Sequence, residues 1–297
     1  MKLYRLLYCL PVLLWAQCNE PGQPATDTVS NAPVKHAEQP VPKRAEIVFR
    51  MLSSKDSIKK IQRSYTGNDL YLVGLVNRVD TQHIAGLDSL IIPGDLSAER
   101  LQYFPFPFKA DGLKDIRKIV LFSYPAQAYA AYEYGRLMYT GPTNMGRKKD
   151  PTPTGLFFTN WKAEETRSTF NDEWDLKWNF NIQNKEGIGW HQYAMPGYPA
   201  SHSCLRLTED DARRLYNWAE QWTIKDTDNI LAPGTPVIVF GSYPFGSPKP
   251  WLALARDPHV LDISEEQLMN EVNPYLQQIM AAQGQQDSVA GKNTSRK

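Results

Sequence analysis

Residues 199–207 read "PASHSCLRL". Ser201, His202, Ser203 and Cys204 stand in a row, and Arg206 follows two residues later. Cysteine is scarce: there are three in 297 residues, and the other two are Cys9 and Cys18. A lone cysteine beside a histidine is either a nucleophile or a small buried hydrophobe. A free thiol titrates near about 8.5, so a useful nucleophile needs a lowered pKa or a base beside it. His202 and His191 are candidates for that base, from only five histidines in the chain. In an extended segment His202, Cys204 and Arg206 point the same way. Arg206 is then placed to pair with a substrate carboxylate, although a structural salt bridge explains it equally well. The stretch "QYAMPGYPA" (192–200), with its Pro-Gly and Pro, can fold the chain back and bring His191 to Cys204.

The flanking patterning is rich in strands. "DIRKIVLFSYPAQAYAAYEYGRLMYTGPT" (115–143) alternates apolar and polar residues, with Gly135 at a hairpin-like turn. "NMGRKKDPTPTGLFFTN" (144–160) is a polar, basic loop running into an aromatic strand start. Its Arg147, Lys148 and Lys149 either attract carboxylates or are simply solvated. "KEGIGWHQY" (185–193) is a short strand with His191 at its end, and "GTPVIVFGSY" (234–243) is a buried strand. Between them "TEDDARRLYNWAEQW" (208–222) reads as a helix capped by Thr208, with Asp211 three residues on. Trp161, Trp174, Trp178 and Trp190 either wall a cleft or fill the core.

"SHSCLRL" followed by the "DDARRLY" helix, with His191 upstream, resembles the catalytic motif of the L,D-transpeptidases (the YkuD-type domain). The strand, hairpin and Pro-Thr-Pro-x-Gly stretch before it and the "GTPVIVFG" strand after it resemble that family too. The resemblance covers residues 113–243. It implies a β-sandwich-like catalytic domain acting on peptidoglycan stem peptides. Cys204 would attack the carbonyl of an L-configured centre joined to a D-residue, release that residue and leave a thioester. A second stem's amine would then form a cross-link. The resemblance makes His191 the general base and places His202 beside the nucleophile. The backbone N–H groups of Ser203 and Cys204 become the oxyanion hole. Arg206 would position the donor's carboxylate or brace the loop, with Ser201 at the same substrate-binding edge. No metal or cofactor is called for, because the thiolate is the nucleophile. Two departures stand out: Ser203 replaces the family's glycine, and Gln192-Tyr193 stand where Gly-Thr is frequent. If position 203 requires φ > 0, serine costs about 1 kcal/mol there. Other readings of the same site are a thioester-forming carboxypeptidase or amidase, or a non-catalytic cell-wall-binding lipoprotein.

Further out, "LVGLVNRVDTQHIAGLDSLIIP" (72–93) resembles the second half of a LysM repeat, although no opening strand is evident. A generic helix–strand unit fits as well. The N-terminus "MKLYRLLYCLPVLLWAQC" has a basic start and an apolar run too short to span a bilayer, which takes roughly 20 residues. It resembles a bacterial lipoprotein signal with Cys18 as the lipidated residue. Export would leave Cys204 with no disulfide partner in an oxidising compartment. Net charge +1 gives no global reason to expect nucleic acid, and 42% hydrophobic with 22% charged residues is a globular balance.

The expected organisation is an export signal (1–18), a Pro-rich linker (19–45) and a small α/β subdomain (46–110). A catalytic domain (111–246), a helical extension (247–283) interrupted at Pro274 and a disordered tail (284–297) follow. The fold class is α+β, mainly β. The expected setting is the bacterial cell envelope, facing the periplasm from a lipid anchor, with stem peptides as partners. Oligomeric state is unassigned, and His36, His83 and His259 receive no role.

Overall fold

The computed structural model describes residues 41–167, 175–226 and 229–294. The expected signal, most of the linker, Cys9, Cys18, His36 and Trp174 lie outside these residues. Among the described residues, no helix is long and apolar enough to cross a membrane.

Among the described residues the first elements are β1 (Phe49–Leu52), α1 (Lys55–Ser64), α2 (Gly67–Val76) and β2 (Leu90–Pro93). β1, the opening strand that the sequence pattern does not reveal, pairs antiparallel with β2. Its burial is only partial, and Arg50 interrupts the apolar residues Phe49, Met51 and Leu52. Ser54 caps α1, and Ile58 and Ile61 turn its apolar face onto Val73, Ile84 and Leu90. Buried Asn77 locks the unit: its amide donates to Val73 O and Ile91 O and accepts from the Ile91 N–H at 2.9 Å.

The main body is a sandwich. One sheet contains β3 (Lys118–Ser123), β4 (Ala128–Glu133), β5 (Arg136–Pro142) and β6 (Gly155–Phe158). The other contains β7 (Lys162–Arg167), β8 (Asp175–Gln183), β9 (Ile188–Gln192) and β10 (Leu205–Leu207). Then come α3 (Glu209–Trp218), a hairpin of β11 (Thr223–Asp226) and β12 (Asn229–Ala232), and β13 (Pro236–Phe240), which enters the first sheet. The strand orders are β5-β4-β3-β13-β6 and β10-β9-β8-β7.

The central strands are buried on both faces, so they read as unbroken apolar runs. Their period of two still sorts side chains. Val120, Phe122, Tyr129, Val237 and Val239 face Phe180, Trp190, Leu205, Leu207 and the α3 residues Ala212 and Leu215. Ile119, Leu121, Ala130, Tyr132 and Ile238 face the other way. They share a core with Leu72, Val76 and Ile91 of the N-terminal unit and with Leu268, Val272 and Ile279 of the C-terminal helices. Gly135 forms the β4–β5 turn at φ +74°, where a Cβ would strike Ala110 O at 2.5 Å. Trp190 is wholly core, whereas Trp161 is exposed.

The C-terminus differs from expectation. α4 (Glu265–Val272) stops at the Pro274 turn, but α5 (Leu276–Thr294) continues through the segment expected to be disordered. Tertiary ties hold it. Arg117 binds Asp287 at 2.5 Å and Gln286 at 2.6 Å, and Gln286 donates to Pro233 O. Local polarity alone conceals those partners.

Thr208 caps α3 by accepting the Asp211 N–H at 3.2 Å. The Asp211 carboxylate is fully buried and accepts from Arg100, Tyr129 and Thr208. Asp211→Ala strands the Arg100 cation and should cost about 3–5 kcal/mol, read from denaturant midpoints. A loss below about 1 kcal/mol would mean that Arg100 finds another partner.

Candidate active site

Cys204 directly precedes β10, which pairs parallel with β9: Leu205 opposes Trp190, Arg206 opposes His191 and Leu207 opposes Gln192. This register fixes the thiol against the strand that bears His191. The Gly189 N–H on β9 donates to the sulfur, and His191 lies two residues further along. Only glycine fits at 189, where a Cβ would meet Phe180 O at 2.4 Å.

His191 is buried, and its Nδ1 lies 2.9 Å from Gln192 O. A carbonyl only accepts, so Nδ1 carries the proton and Nε2 keeps its lone pair. Burial holds the imidazole pKa down to about 4. It is therefore neutral at pH 7 and able to take a proton. Burial pushes the Cys204 thiol up, while the Gly189 N–H and Arg206 pull in the opposite direction. The site thus holds a thiol and a neutral base rather than a thiolate–imidazolium pair.

Ser203 adopts φ +77°, so position 203 does require the left-handed conformation. The extended geometry expected for 202–204 breaks at this residue. His202 consequently turns toward the loop after β5, with Nε2 3.9 Å from Asp150 Oδ2. Burial, and then Arg147, hold its pKa below the usual value. The N–H groups of Ser203 and Cys204 carry no hydrogen bond among the described residues. Ser201 is buried, and its hydroxyl donates to Cys204 O at 2.5 Å, so it closes the turn instead of lining a substrate edge.

Arg206 donates to Ala194 O at 3.1 Å and Ala200 O at 3.3 Å, and it lies over the Tyr193 ring at 4.5 Å. It braces the loop between His191 and Cys204, with its charge near the sulfur. Tyr193 also meets the His191 ring edge-on and lines a cleft of about 400 Å³ with Tyr71, Asp80 and Thr208.

Several residues that hold the site carry no catalytic signature. Asn144 exchanges two 2.9 Å backbone bonds with Arg206, and its side chain bonds Tyr198 O and the Ala200 N–H. Thr152 donates to Ser203 O at 2.9 Å and accepts the Gly146 N–H at 2.8 Å. Tyr124 donates to Gly146 O, and Asp150 takes the Arg147 guanidinium at 2.6 Å. Asn144, Thr152 and Asp150 lie in the polar stretch 144–160, and its Pro-Thr-Pro-x-Gly landmark was their only signal.

Residues 117–239 match the family model of the L,D-transpeptidase catalytic domain (YkuD). Solved structures similar to this chain include an L,D-transpeptidase from Stackebrandtia nassauensis, at 24% identity over 43% of this chain and 57% of that one, TM-score 0.35. Another is an L,D-transpeptidase from Mycobacterium tuberculosis H37Rv, at 22% identity over 42% of this chain and 58% of that one, TM-score 0.32. A third is a mutant Enterococcus faecium L,D-transpeptidase, at 20% identity over 41% of this chain and 49% of that one, TM-score 0.34. The chain thus spans less than two thirds of the length of each. No curated protein matches the sequence. The L,D-transpeptidase-type segment runs from β3 to β13, which includes both His191 and Cys204.

Two outcomes follow for this segment. Ser203→Gly relieves the left-handed strain and should stabilise the fold by about 1 kcal/mol in denaturant unfolding. His191 near 4 when folded, against its ordinary 6.5, means that the unfolded chain takes the proton first as pH falls. Stability is intact above pH 6.5 and declines from there to about pH 4, by about 3 kcal/mol in all. His191→Gln should flatten that decline, and an unchanged slope would show that His191 titrates normally.

Proposed function

We propose that this chain is a peptidoglycan L,D-transpeptidase with Cys204 as nucleophile and His191 as base. The observation that carries the reading is the juxtaposition on β9 and β10. A half-buried thiol lies against the strand that holds a neutral imidazole, in a segment matching the L,D-transpeptidase catalytic domain.

In the first half-reaction the Sγ–H proton passes to His191 Nε2 as sulfur bonds to the stem-peptide carbonyl carbon. The tetrahedral oxyanion forms beside the Ser203 and Cys204 N–H groups. Its collapse breaks the C–N bond, and the imidazolium returns the proton to the departing amine of the D-residue. In the second half-reaction neutral His191 takes a proton from the acceptor amine as its nitrogen attacks the thioester. The C–S bond breaks and the thiol reforms. The cleft beside Tyr193 gives a second peptide room to approach. His202 and Asp150 flank the nucleophile. Ser203 supports an active enzyme rather than a wall-binding relic, because it holds the left-handed turn despite its Cβ. The same reading makes the chain a cell-envelope enzyme, exported and anchored through lipid on Cys18.

The test is intact mass of the protein with a tetrapeptide stem, and separately with a carbapenem, beside Cys204→Ala. A covalent adduct absent from the mutant, release of the D-residue and a cross-linked dimer are expected. Tripeptide alone would make it a carboxypeptidase. No adduct from folded protein would refute the nucleophile assignment. Because the base titrates near 4, turnover should persist to about pH 5 and fall below it.

A further inference from the structure

The loop that carries the basic run Arg147, Lys148 and Lys149 is fixed by its backbone against the Ser201–Ser203 turn that leads into Cys204. The Arg147 N–H donates to Ser201 O at 3.0 Å, and the Ser203 hydroxyl reaches Asp150 O at 3.4 Å. Thr152 ties the far end of the loop to Ser203 O. The Arg147 guanidinium rests on Asp150 Oδ2 through both Nε and Nη2, each at 2.6 Å. That same oxygen is the one near His202.

The charge balance at this rim is positive. Arg147, Lys149 and Arg206 all act on His202, Arg206 also acts on Cys204, and Asp150 is the one acid acting on His202. Arg206 was the sequence's candidate for a substrate carboxylate, but its guanidinium is committed to two loop carbonyls and a tyrosine face. Arg147 is half-exposed, Lys149 is exposed, and a guanidinium offers five donors in a planar fork.

We propose that Arg147, supported by Lys149, binds the C-terminal carboxylate of the donor peptide, and that Asp150 is the partner which that carboxylate displaces. The inference rests on the acyl-transfer reading above. In such a donor the leaving residue carries its carboxylate on the Cα bonded to the scissile nitrogen. A cation fixed at the thiol's rim can therefore hold the carboxylate and set the scissile carbonyl over the sulfur. Exchange of Asp150 for the substrate keeps the guanidinium paired throughout, which limits its desolvation cost.

The test compares a tetrapeptide stem bearing a free C-terminal carboxylate with the same peptide as its carboxamide, both as donors to the full protein. Wild type should favour the carboxylate by about tenfold or more in kcat/KM. Arg147→Gln should bring that ratio toward one, Arg147→Lys should restore part of it, and Lys149→Gln should lower it less. Asp150→Asn should lower KM for the carboxylate peptide, because it releases the guanidinium. Equal use of both peptides by wild type would overturn the carboxylate site and leave the acyl-transfer reading standing. An Arg147→Gln variant with unchanged melting and an unchanged ratio would do the same. Failure of wild type to acylate with either peptide would overturn both.

Discussion

Two backbone hydrogen bonds between Asn144 and Arg206, each 2.9 Å, decide where the thiol sits. β10 has three residues, too few to hold a position alone. β9 secures one edge and Asn144 secures the other. From this stitch the rest of the site follows. The Asn144 side chain pins the 198–200 loop, Arg206 reaches back to Ala194 and Ala200, and Thr152 fixes the Ser203 carbonyl. The Asn144 and Thr152 contacts join segments far apart in sequence, so the Cys204 loop is held without regular structure of its own. Such preorganisation is what an oxyanion site needs, because its N–H groups must point correctly before charge develops.

The electrostatic state complements this geometry. Burial acts on both reacting groups in the direction of neutrality: it lowers the imidazole and raises the thiol. A neutral thiol is a poor target for oxidants and adventitious electrophiles. On the acyl-transfer reading proposed above, proton transfer to His191 would accompany attack on a bound carbonyl rather than precede it. Arg206 moderates the thiol's rise without neutralising anything, because its own hydrogen bonds go to carbonyls.

The sequence exposed those parts of the molecule whose signal is local. The Gly135 turn, the Thr208 cap and the run 234–243 each carry their structure in neighbouring residues, whereas the alternation expected in 115–143 gives way to apolar runs because β3 and β4 are buried on both faces. In β1 the break at Arg50 hides the strand pattern, and the anchors of α5, Arg117 and Pro233, lie far upstream of it. The orientation of His202 differs from the extended expectation for a stereochemical reason: Ser203, at φ +77°, reverses the alternation that an extended segment would give. Asn144, Thr152 and Asp150 act through positioning, which leaves no pattern of chemically distinctive residues to find.

The N-terminal unit cannot be a module that swings freely beside the catalytic sheet. Arg78, next to Asn77, is fully buried, and its guanidinium lies against Phe104 and Trp251 while donating to Ala126 O at 3.0 Å. Burial lowers its pKa to about 9, which leaves it charged at neutral pH. No carboxylate pairs with it among the described residues, so carbonyls and aromatic faces carry the compensation. That compensation exists only while β3, β4 and the Pro250–Ala255 turn stay docked on the unit. Separation would expose the apolar face shared by Leu72, Val76, Ile91 and Trp251 and would unpack the cation's surroundings in the same step. The cleft formed by Tyr71 and Asp80 with Tyr193 therefore has fixed walls, and its distance from the thiol is set by the core rather than by a linker.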